Sequence, residues 1–151
     1  MNQLKKQLSE LESYSDKLDF QNTAISQSTI GWQIDHTLKV VIGIVSVMQS
    51  SNPDDYKWKF NKYRTIVFWK NKIPRGKVKA PKSVQTYEII TPKDLASQFE
   101  TSKIQIENFE LLNQNSNFKH PFLGQLNIKL AVKFLQIHTE HHLQIIRDIL
   151  K

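Results

Sequence analysis

The sequence predicts an all-α protein, a four-helix bundle with one extra short helix and a long basic connection between helices two and three. Three observations carry that expectation. Apolar residues recur at steps of three and four along most of the 151 residues. One segment, from Gly31 to about Gln49, is apolar nearly all round and belongs at the centre of a core. Thr91-Pro92-Lys93-Asp94 then combines a cap, a proline at the first helical position and a capping-box acid.

Taken in order, Leu4, Leu8, Leu11 and Leu18 form the seam of a first amphipathic helix that fades between Gln21 and Thr29. The second helix leaves only a narrow polar stripe (Asp35, Lys39, Ser46, Gln49) and stops at Asn52-Pro53-Asp54. Residues from Trp58 to Trp69 suit a short helix with Phe60, Tyr63 and Val67 on one side. A loop with Pro74, Gly76 and Pro81 follows, and then an extended segment over Val84 to Ile90. Leu95, Phe99, Ile106 and Phe109 carry the next helix to about Leu112, and Asn113 to Asn117 break it. After His120-Pro121-Phe122-Leu123-Gly124 a last helix runs from about Leu126 to the end.

Composition narrows the function classes. With 39% hydrophobic and 23% charged residues the chain can build a core, and its length suits one domain with no repeat. It has no cysteine, which excludes disulfides, thiolate metal sites and a cysteine nucleophile. The opening MNQLKKQLSELES alternates leucines with charges and lacks the apolar stretch of a signal peptide. The most apolar run, Val40 to Met48, falls far short of the ~20 residues that span a bilayer. A cytoplasmic protein without a membrane partner is expected.

The formal charge of +7 is local. Ten of the 21 Lys and Arg, and none of the 14 acids, lie between Lys57 and Lys82, so the rest of the chain is mildly acidic. Such a segment can attract nucleic acid, anionic lipid or a multiply charged small molecule.

The sharpest chemical signal is His138-Thr139-Glu140-His141-His142. The core seam of the last helix runs Ile128, Ala131, Leu135, His138, His142, Ile145, Ile149. His138 and His142 thus sit on the buried stripe one turn apart, about 6 Å at Cβ, and can close on one ion. Neutral imidazole suits zinc, nickel or iron(II), and copper as well. An open catalytic site usually needs a third protein ligand. His36, on the second helix beside Val40, Gly43 and Val47, is one candidate, and Gly43 there would admit a close neighbour. His120, held near the last helix by Pro121, is the alternative. His141 falls off the seam, Glu140 points toward solvent, and Asp35 diverges from His36.

HPFLG followed by FLQIHTEHHLQII resembles the end of the DinB/YfiT-like superfamily, nearest a branch ending in H-x-x-H-H-L-x-Q. GWQIDHTLKVV is similar to that superfamily's second helix. The resemblance implies a four-helix bundle, often a homodimer, binding nickel, zinc or a similar divalent ion through three histidines. Carried over by position these are His36, His138 and His142. Many members have a Trp about two turns before the second-helix histidine, whereas Trp32 lies one turn before His36. Better-known members are thiol-dependent S-transferases, and a few are hydrolases or isomerases. The resemblance therefore implies one divalent ion (nickel or zinc first, iron as an option) and, with no cysteine here, a small-molecule thiol cosubstrate. Arg75, Lys77 and Lys79, with Lys70, Lys72 and Lys82, could hold that molecule's carboxylates or phosphates.

Two other functions compete. A nucleic-acid module would use the same cations interleaved with Trp58, Phe60, Tyr63, Phe68 and Trp69. It stands second because rings at helical spacing are expected to pack inward. A metal-braced bundle without catalysis is the third.

Overall fold

The computed structural model describes residues 1–75 and 90–151. The described residues form α1 (Asn2–Glu12), α2 (Ile30–Gln49), α3 (Lys62–Lys70), α4 (Pro92–Glu110), β1 (Asn117–His120), β2 (Gly124–Asn127) and α5 (Ile128–Ile149), with one turn of 3₁₀ helix at Pro53–Asp55. Most of the expected extended segment, and Lys77, Lys79 and Lys82 with it, lie outside the described residues.

Leu4, Leu8 and Leu11 of α1 are buried as their spacing predicts, but the helix ends at Glu12 and does not reach Leu18. The cause is local. Ser13 Oγ donates to the Glu10 carbonyl and Ser15 Oγ to the Glu12 carbonyl, each at 2.7 Å, which offers the backbone an alternative to another helical turn. Leu18 still packs at the edge of the core. Its carbonyl accepts from Gly31 N at 2.9 Å, and a Cβ at Gly31 would stand only 3.1 Å from that oxygen. Glycine is what lets the returning chain enter α2 so close to the end of the first segment.

Thr29 caps α2 by accepting from Trp32 N at 3.2 Å. The helix buries Ile30, Ile34, Leu38, Val41, Val45 and Met48, and packs against both α4 and α5. One expectation fails here. Gly43 has nothing within 4 Å of where a Cβ would be, and Val47 is exposed. The stripe that begins at His36 and Val40 runs out to solvent by its second turn, so Gly43 marks no close helix approach.

At α4, Thr91 Oγ1 accepts from Asp94 N and Asp94 Oδ2 accepts from Thr91 N, a complete capping box with Pro92 at the start. Leu95, Phe99, Ile106 and Phe109 are buried along it. The described residues are mostly helical, as expected, with one small two-stranded sheet added. Residues expected as a break and a loop form an antiparallel hairpin, with Asn117 opposite Asn127 and His120 opposite Gly124. Gly124 at φ 75° supplies the left-handed conformation the turn needs. The strands lie against α2 and α5, and α5 starts at Ile128, two residues later than expected, capped by Asn127.

α1 also packs along α5 and touches α4. Arg147 of α5 joins Glu10 of α1 and Glu140 of its own helix, at 2.7 Å each, and Glu140 accepts from Gln7 at 3.0 Å. Glu140, expected toward solvent, is instead part of the bond between the two helices. Asp35 is also drawn inward, between Lys39 at 2.8 Å and Gln98 of α4 at 2.7 Å. Among the described residues, no helix is long and apolar enough to cross a membrane.

Candidate metal centre

α5 is strongly amphipathic, and its buried face runs through Ala131, Leu135, His138, His142, Ile145 and Ile149. Where α2 crosses it, His36 faces the pair. All three imidazoles are buried, and their donor nitrogens lie within 4.8 Å of one another. Ring centroids are 5.2 Å apart for His36 and His138, 4.8 Å for His36 and His142, and 4.6 Å for His138 and His142.

The neighbours fix two of these rings. Gln33, one turn before His36 and itself buried, brings its amide oxygen to 2.6 Å from His142 Nδ1. Its amide nitrogen is held by Ser26 Oγ at 3.2 Å. With an acceptor at Nδ1, His142 carries its proton there and keeps a lone pair at Nε2. That Nε2 is 3.3 Å from His138 Nε2. Trp32 stacks on His36, centroids 4.9 Å apart and planes within 9°, which the single-turn spacing makes possible. Phe134 flanks His138 at 5.5 Å.

Burial, and then the neighbouring imidazoles, hold His138 and His142 well below the usual histidine pKa. Both are therefore neutral near pH 7, the form in which imidazole binds a metal. The donor geometry fits an ion. A tetrahedral site with bonds of about 2.05 Å places its nitrogens about 3.3 Å apart, the spacing seen between the two Nε2 atoms. The ligand nitrogen of His36 lies within 4.8 Å of the other two. His138 Nδ1 is buried without a hydrogen-bond partner, so this ring is the less firmly oriented of the pair.

His120 does not join the cluster. Its Nδ1 accepts from Phe122 N at 3.1 Å and Leu123 N at 3.2 Å, tying the hairpin turn, and its ring lies edge-on to Phe134. Desolvation lowers its pKa to about 4. His141 stands edge-on to His142 at 5.1 Å and faces Ile73, with a pKa pushed down to about 4 by burial and then by Arg75. Arg75, expected in an anion site, is paired with Asp148 at 2.8 Å. Lys70 and Lys72, from the same basic segment, line a cavity of about 270 Å³ with Glu140, His141 and Gln144.

The aromatic residues of the basic segment contradict their expected inward packing. Trp58, Phe60, Tyr63 and Trp69 are exposed, and only Phe68 and Val67 of this group rest on the core. The buried residue of α3 is Arg64.

Gln33 escaped the sequence reading, since its partner lies 109 positions away and no spacing rule connects them. Comparison with protein-family models, curated proteins and solved structures finds no match to this chain, so the centre is read from its own residues.

Proposed function

We propose that this chain is a divalent-metal-dependent enzyme of the DinB/YfiT-like kind. In this reading α1, α2, α4 and α5 make a four-helix bundle, α3 is the extra helix in the long connection, and His36, His138 and His142 hold one ion. The observation that carries the proposal is the convergence of three buried imidazoles from two helices, with the two Nε2 atoms already at ligand spacing. Nickel or zinc is the first choice and iron the next, because neutral nitrogen donors accept all three. Gln144 follows Leu143 directly, so the tail keeps the H-x-x-H-H-L core of the pattern and departs after it.

A divalent ion bound by three protein ligands makes a thiol or water nucleophilic near neutral pH. The chain's own residues do the rest. Gln33 orients His142, and Trp32 screens one face of His36 from water. Lys70 and Lys72 line a cavity beside His141, where the carboxylates of a thiol cosubstrate can be held. The reaction is a substitution: the thiol sulfur, or the water oxygen in hydrolysis, forms the new bond to the electrophile. The leaving group departs with the electrons of the broken bond, and the proton lost by the nucleophile passes to solvent or to that leaving group.

The test is a titration of cobalt-loaded protein with a small thiol, followed by its visible absorption. A thiol-dependent spectral change that His138→Ala abolishes is the expected result. An ion that binds stoichiometrically but responds to neither thiol nor pH would be coordinatively closed. That outcome would leave only a brace between helices.

A further inference from the structure

Independent of the metal centre, the region made by α3, its approach and the hairpin turn carries six large apolar side chains in water. Trp58 is 64% exposed, Phe60 71%, Tyr63 56%, Ile66 50%, Trp69 81% and Phe122 54%. Tyr63, Ile66 and Trp69 follow one another at steps of three and share a side of α3. Trp58 and Phe60 belong to the extended approach to that helix. Phe122 stands at the hairpin turn, which Asn61 ties to the helix start by donating to the Phe122 carbonyl at 3.0 Å.

This orientation is built. A helix free to choose would bury its rings and expose its cations. In α3 Tyr63 and Trp69 face water while Arg64 is buried, donating to the carbonyls of Leu123 at 3.4 Å and Gln125 at 3.3 Å, and to that of Lys59. Asn61 caps the helix by accepting from Arg64 N at 2.9 Å. The guanidinium anchors the helix to the hairpin and turns the opposite side outward.

The surrounding charge selects the partner. Lys57, Lys59, Lys62 and Lys70 are exposed around the rings, and no acidic residue occurs between Lys57 and Arg75. A second copy of the same face would set these cations against one another. Two of the rings are already engaged by cations. Lys62 lies over Tyr63 at 5.2 Å and Arg64 over Trp58 at 5.7 Å, so each already has a cation on one face, and Ile66 has no π-face. Tryptophan, tyrosine and phenylalanine ringed by lysine are instead the composition that settles at a lipid–water interface.

We propose that this face docks on an anionic lipid surface, with the rings at headgroup depth and Lys57, Lys59 and Lys62 against the headgroup charges. The protein lies on the membrane and does not span it.

Cosedimentation with phosphatidylcholine vesicles, with and without phosphatidylglycerol, tests this, read alongside tryptophan emission. The full chain should partition only onto the anionic vesicles, its emission should shift to the blue, and added salt should release it. Phe60→Ala with Trp69→Ala should weaken partitioning at least about tenfold, as should Lys59→Gln with Lys62→Gln, at roughly one charge-equivalent of surface attraction each. These side chains are exposed, so circular dichroism should remain that of the wild type. No partitioning onto anionic vesicles overturns the proposal, as does partitioning that both double variants leave unchanged. Tight, steeply salt-dependent binding to a single-stranded oligonucleotide without vesicle binding would assign the face to nucleic acid. A dimer that quenches access to Trp69 would assign it to self-association.

Discussion

The middle of α5 and the short helix α3 both reverse the usual division between inside and outside, in different ways. α5 places two imidazoles on its buried face, opposite a third from α2. α3 places an arginine inside and two of its rings, Tyr63 and Trp69, outside. In α3 the inner half of the reversal is complete, since three carbonyls take the guanidinium, while Tyr63 and Trp69 on the outer half stay more than half exposed. In α5 Gln33 holds His142 at Nδ1, and ligand atoms of the three histidines lie within 4.8 Å of one another. Buried polar groups are tolerated when something meets them. On the two readings proposed above, an outside partner completes each region, an ion the first and a lipid surface the second.

Acid should break the α5 side most strongly. Metal-free protein binds few protons at His120, His138, His141 and His142 until the pH nears their depressed pKa values, about 4 for His120 and His141. The unfolded chain protonates the same rings near pH 6.5, so it gains protons first and stability falls as pH drops below that value. Thermal melts of metal-free protein at pH 7.5 and pH 5 should show a clear loss of Tm. Saturating metal should raise the Tm at pH 7.5.

Arg64→Ala comes next. It strands the carbonyls of Leu123 and Gln125 beneath α3 and should cost about 3 kcal/mol in urea unfolding. Metal affinity should change little, because the anchor and the imidazoles belong to separate regions. Gln33→Ala is the reciprocal test: zinc affinity should fall about 10- to 100-fold by competition with a chelator, with a smaller effect on folding. Trp69→Ala closes the series. At 81% exposure it should alter stability by no more than about 0.5 kcal/mol, where a packed tryptophan would cost several-fold more.

The same contrast explains what could be read in advance. The start of α4 was legible because all its signals (Thr91, Pro92, Asp94) fall within four residues and satisfy one another. The stripe carrying His138 and His142 was legible because helical spacing alone assigns a face. The orientation of α3 was not. Rings at helical spacing look alike whether they face in or out, and the choice was made by Arg64 and carbonyls some 60 positions later. The hairpin escaped because four-residue strands are too short to show an alternating pattern, and their turn is Pro121-Phe122-Leu123 rather than an Asn-Gly pair. Glu140 and Gln33 were missed for the reason that hid α3, since their partners lie on distant helices.

Metal content, measured by elemental analysis on untagged protein alongside His138→Ala and His36→Ala, tests the central claim most directly. About one nickel or zinc ion per chain, lost from both variants, is the result the three-imidazole centre requires. No ion in the wild type after incubation with either metal would contradict it. So would an ion that survives His36→Ala, because the centre would then not join α2 to α5.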